Sequence, residues 1–145
     1  MATYISKNFT LEEFCASATA KANGIRNNPG QTDIINLCAL VHQVLQPLRD
    51  AMGHPIKIGS GFRSLALNKA VGGVSNSQHM RGEAADLCID GDMVKGRKWF
   101  EWIKNHCEFD QLIWEHNANG SYWVHVSYRA DGKNRKQVIN NLLKK

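Results

Sequence analysis

The chain has 145 residues, of which 43% are hydrophobic and 21% charged, and it carries a net charge of +5. That length suits one domain with a proper hydrophobic core, and no apolar run reaches the roughly 18 residues of a membrane span. Cysteines at 15, 38, 88 and 107 form no CxxC pair, which argues against a thiolate zinc site and a disulfide-stapled scaffold.

All four thiols are therefore expected to be free, with Cys38 and Cys88 buried as small hydrophobes. The first residues, MATYISKNFTLEEF, lack the pattern of a secretory leader and predict synthesis in a cytoplasm. Basic residues crowd the end, from Arg129 through Lys133, Arg135 and Lys136 to Lys145. Such a surface favours polyanionic partners, although any one of these residues also fits a merely solvated face.

Thr10 and Glu13 have capping-box spacing and predict a helix running to about Ala18. Turn residues follow from Asn23 to Gly30. Between Thr32 and Met52 the apolar positions repeat at helical spacing, and Pro47 should kink that helix or split off its last turn. Pro55–Gly59 reads as a strand. Ser60–Ser64 is a loop whose Ser64 caps a helix through about Ala70, and the stretch from Val71 to Gln78 is loop again. Ala84–Ile89 is apolar enough for a buried strand. Asp90 or Asp92 then caps a helix whose aromatic stripe includes Trp99, Phe100 and Trp102. Phe109–Glu115 and Tyr122–Tyr128 are strands joined at Asn119-Gly120, a strong hairpin signal. A short final helix is expected around Val138–Leu143. The order predicts an α+β fold, with a small, mainly antiparallel sheet packed against helices.

Chemistry concentrates between Ser75 and Leu87. His79 and Asp86 stand seven residues apart across a turn at Gly82, and His125 lies in the apolar run YWVHVSY. Both residue types bind zinc, and a catalytic site needs three protein ligands and one open position. Placing Leu112, Trp114, Val124 and Val126 on the core face of the hairpin puts Ile113, Glu115, Trp123 and His125 on the other. Glu115 then sits opposite or diagonal to His125, as a general base beside a metal requires. Taken singly, each residue has a plainer reading: a core histidine for His125, a strand-end charge for Glu115, a surface ion pair for Arg63 and a turn cap for Ser77. His42, His54, His106 and His116 have no partner at a telling spacing.

Ser60-Gly61-Phe62-Arg63-Ser64, Leu67-Asn68, Gly72-Gly73, Ser77-Gln78-His79, Gly82, Ala84-Ala85-Asp86 and Trp123-Val124-His125 together resemble the D-alanyl-D-alanine carboxypeptidase-type zinc peptidases. Vancomycin-resistance dipeptidases and phage peptidoglycan endopeptidases belong to that group, and the compact phage and prophage branch is the nearest likeness. The similarity spans roughly residues 8 to 128 of a single domain, 1–145, leaving a basic tail at 129–145. The resemblance implies one zinc ion per chain, held by His79, Asp86 and His125 on the sheet face. It further implies that Arg63 binds substrate carbonyl or oxyanion charge and that Ser77 lines the substrate site. Some branches place the catalytic carboxylate three residues before the last histidine, a position that is Tyr122 here. The compact branch matches Glu115 instead.

The sequence thus predicts a monomeric zinc metallopeptidase that cuts peptide stems or cross-links of bacterial peptidoglycan. It would serve as a phage-type lysis enzyme (endolysin) or virion-associated enzyme that reaches the wall after release from the host cytoplasm. A non-catalytic zinc-bearing wall-binding module of the same fold is the alternative. A basic nucleic-acid-binding domain is disfavoured because no binding motif is present.

Overall fold

The computed structural model describes residues 2–141. Local sequence rules set most of its element boundaries. A small hairpin of β1 (Tyr4–Ser6) and β2 (Phe9–Thr10) leads directly into helix α1 (Leu11–Cys15). Thr10 Oγ accepts the Glu13 N–H, and the Glu13 carboxylate accepts the Thr10 N–H at 2.7 Å, closing the expected capping box. The helix stops earlier than expected because Ser17 starts a new one. Its Oγ accepts the Ala20 N–H at the head of α2 (Ala18–Asn23).

The long amphipathic stretch forms α3 (Gln31–Leu40), a π-helical turn (Val41–Leu45) and α4 (Gln46–Met52) in continuous succession. Pro47 brings no N–H to the helical ladder, and the ladder widens in the turn just before it. Leu37, Leu40, Val41, Val44, Leu45 and Leu48 form one fully buried stripe along this run.

Strand β3 (Lys57–Ser60) is followed by α5 (Leu65–Ala70), capped by Ser64 as expected. A 3₁₀ turn (Gln78–Arg81) leads into β4 (Ala84–Cys88), and Asp92 caps α6 (Met93–His106). The hairpin of β5 (Gln111–His116) and β6 (Tyr122–Ser127) is in place. Its core face carries Leu112, Trp114, Val124 and Val126, packed with Trp99, Phe100 and Ile103 of α6 in the common core.

The main sheet has the order β3-β4-β6-β5-β7. Pairing is antiparallel from β3 to β5, but β7 (Gln137–Asn140) joins β5 in parallel, so the sheet is mixed. This corrects the expected terminal helix, whose last residues, 142–143, lie outside the described part. The Gln137 N–H donates to the Asp110 carbonyl and the Asn141 N–H to that of Trp114, so the tail satisfies its backbone along a sheet edge. The cysteines also differ from expectation. All four are free, yet Cys38 and Cys88 are only half-buried and Cys107 is the buried thiol. Burial pushes the Cys107 thiol up to about 11.

Candidate metal centre

Strand alternation puts Asp86 and His125 on the sheet face opposite the apolar core, directly across from each other in the β4–β6 ladder. His79 is delivered from the 3₁₀ turn beside them. Ser77 opens that turn by accepting the His79 N–H on its Oγ, at 3.2 Å. Gly82 closes it in the left-handed region, φ +73, and a Cβ there would collide with the backbone of Asp33.

A second loop holds the turn in place. The Arg63 N–H donates to the His79 carbonyl, and His79 Nδ1 lies 2.7 Å from the Gly61 carbonyl. Gly61 itself presses against α1, where an added Cβ would come within 2.6 Å of the Phe14 carbonyl. The adjacent Phe62 N–H donates to that same carbonyl. Asn27, nearly buried, accepts the Ser64 N–H and donates to the Phe62 and Cys15 carbonyls, tying the loop down from the other side.

The result is convergence of three side chains. Ligand atoms of His79, Asp86 and His125 all lie within 4.8 Å of one another. Asp86 Oδ1 is 2.9 Å from His125 Nδ1 and 3.4 Å from His79 Nε2. A carbonyl can only accept, so the Gly61 contact fixes the hydrogen of His79 on Nδ1 and turns the Nε2 lone pair toward the Asp86 carboxylate. Two electron-rich atoms face each other there, and a cation between them resolves the conflict. Two imidazoles and one carboxylate form a donor set suited to a zinc-like divalent metal, and the Gly61 carbonyl is the usual kind of outer partner for a ligating histidine. Burial pushes the Asp86 carboxyl up. Where the imidazoles carry protons in place of a metal, the charge and hydrogen bonds of His79 and His125 outweigh that and hold it well below the usual carboxylate range.

Arg63 meets the outer oxygen of this carboxylate, with Nη2 3.4 Å from Asp86 Oδ2. Its Nε donates to Ser60 Oγ and its Nη1 to Asn68 Oδ1. Three of the five guanidinium N–H groups are so engaged, leaving one on each terminal nitrogen. Asn68 is buried and was not singled out for a role by residue type alone. Its Nδ2 also donates to the Val74 carbonyl, so it links Arg63 to the loop beneath.

Glu115 pairs with Trp123, and Ile113 pairs with His125, which makes Glu115 the diagonal neighbour of His125 on the same face. Arg63, Ser77, Glu115, Trp123 and the three converging residues all line one cleft of about 340 Å³. Every site residue expected from the sequence therefore reaches this region, although Ser77 enters it chiefly as the cap of the His79 turn. His42, His54, His106 and His116 line no part of this cleft.

A family model described as peptidase M15 matches residues 7–127. The chain belongs to the peptidase M15 family. Over 44 residues the chain is 59% identical to the zinc D-Ala-D-Ala carboxypeptidase of Streptomyces albus G. The aligned stretch is 30% of this chain and 17% of that enzyme, so the M15 chain spans less than a fifth of its curated relative.

Proposed function

We propose that this M15 chain is a zinc metallopeptidase that hydrolyses amide bonds in the stem peptides or cross-links of bacterial peptidoglycan. The observation that carries the reading is the placement of Glu115 diagonal to His125, in the cleft where His79, Asp86 and His125 converge. The zinc in the relative's name suits the same donor set. Zinc held by these three residues supplies Lewis acidity toward a carbonyl oxygen and toward water.

The chain's own residues account for the remaining work. Glu115 accepts the proton of the attacking water and returns it to the leaving amine. Arg63, fixed by Ser60, Asn68 and Asp86, turns its two uncommitted N–H groups toward developing negative charge on the substrate oxygen. Ser77 keeps the His79 backbone in place at the cleft wall. A net charge of +5 favours approach to anionic wall polymers. No helix among the described residues is long and apolar enough to cross a membrane. A phage-type lysis or virion-associated enzyme, acting on the wall after release from a host cell, is the setting that fits these features and the family resemblance.

The test is mass spectrometry of purified peptidoglycan digested by the zinc-loaded chain, with and without a chelator. New amine and carboxyl ends should appear only without chelator, and Glu115→Ala should lower kcat by about 10²–10⁴ while zinc stays bound. Wall binding without any cut bond would instead identify a non-catalytic module.

A further inference from the structure

The cleft does not end at the metal centre. A second groove, of about 600 Å³, shares Ser77, Glu115 and His125 with it and continues along the sheet face past Ile113 and Gln111. Its far wall includes Arg129 and Arg135, which come from the segment beyond the family-matched residues. Two-residue steps along a strand are about 7 Å. Gln111 therefore lies about 7 Å from Ile113, the partner of His125, which is two residues of an extended peptide.

The hydrogen-bonding capacity of that wall is one-sided. Asp110 is fully buried, and both its oxygens are occupied. Oδ1 accepts the Arg135 N–H and Nε–H, and Oδ2 accepts from Arg135 Nη2 and Gln78 Nε2. Glu83 Oε1 takes Arg81 Nε and Gln78 Nε2. The acceptors are thus largely spoken for. Arg135 commits two of its five N–H groups to Asp110 and Arg129 commits one to Asp131, leaving both Nη1 groups without an acceptor among the described residues. Arg135 is half-exposed yet anchored bidentately on a buried carboxylate, so its position is set before any ligand arrives.

We propose that this end of the groove is a subsite for a carboxylate carried by the substrate peptide about two residues from the bond that is cut, read by Arg129 and Arg135. The proposal rests on the peptidase reading above and adds selectivity for acidic over amidated stem peptides. Hydrogen bonds to charged groups are individually worth enough to favour the free carboxylate by about tenfold.

The experiment titrates paired synthetic stem peptides, one carrying D-glutamate and one D-isoglutamine, into the zinc-loaded Glu115→Ala chain by calorimetry. The acidic peptide should bind about tenfold more tightly, and the preference should shrink with added salt. Adding Arg129→Gln should erase most of the preference, weakening the acidic peptide far more than the amidated one. Arg135→Lys, which keeps the charge near Asp110, should weaken the preference without unfolding the chain. Equal binding of both peptides overturns the subsite, as does a preference that survives the Arg129→Gln, Arg135→Gln double substitution. Cleavage of both peptides by the unsubstituted enzyme with no preference leaves the peptidase reading standing and removes the subsite. Cleavage of neither overturns both.

Discussion

The two walls of the cleft are held by different means. On one side, β4, β6 and the 3₁₀ turn fix His79, Asp86 and His125 by strand register, by a glycine pressed on the Phe14 backbone and by several main-chain hydrogen bonds. On the other, the stretch carrying Arg129 and Arg135 leads into an edge strand held by its ladder to β5, and its buried side-chain anchor is the carboxylate of Asp110. The contrast teaches where precision is needed. Ligands that share one ion must agree to within fractions of an ångström, and redundant contacts secure that. A wall that only selects among substrates tolerates an edge strand and one side-chain clamp.

Substitutions should separate the walls. The largest effect is expected from His125→Ala, which removes one of three ligands. Zinc bound per folded chain, measured after gel filtration, should fall from one to near zero. The thermal stabilisation that the metal gives should vanish with it. Retention of stoichiometric zinc by that variant breaks the proposed ligand set.

Asp110→Ala comes next. It strips the C-terminal return of its clamp and frees Gln78, at a cost of about 2–4 kcal/mol in urea unfolding. This clamp also has a pH signature. Hydrogen bonds from Arg135 hold the Asp110 carboxyl below the usual carboxylate range, against the opposing effect of burial. A group depressed in the folded state contributes stability that is present above the unfolded value of about 3.9 and lost as pH falls through the folded one. Asp110→Asn should therefore flatten the acid limb of the stability curve below about pH 4. An unchanged acid limb assigns that loss to other carboxylates.

Gly82→Ala should be the mildest of the three, because the turn can shift. A left-handed backbone and the approach to Asp33 together predict about 1–3 kcal/mol of destabilisation and weaker zinc affinity. A loss of stability with zinc affinity unchanged would show that the turn absorbs the strain away from His79.

What was legible in the sequence was what local rules or strand alternation decide. The Thr10–Glu13 box, the Ser64 cap and the faces of the β5–β6 hairpin depend on residues close in sequence or on a period of two. The same alternation placed Glu115 near His125. The parallel strand at Gln137–Asn140 was not legible, because Val138 and Ile139 suit a helix end as well as an edge and the partner strand lies 26 positions away. Nor was the Asp110–Arg135 pair, 25 residues apart with no motif around either member. The early stop of α1 was readable in principle, since Ser17 is a cap residue, but the apolar run ahead of it drew the helix onward. Cys88 misled because its strand is apolar on average, while its own side chain, at the strand's end, sits near the Lys57–Asp90 ion pair.

The ladder that sets Asp86 against His125 also bears on the order of events during synthesis. The third of the converging side chains sits in β6, 39 residues after the second, so a ribosome must pass that strand before a complete site can exist. A nascent chain stalled ahead of β6 has only two of the ligands and no facing strand to align them. An ion that needs all three is thus acquired after β6 has paired with β4, rather than serving as the seed around which those strands meet.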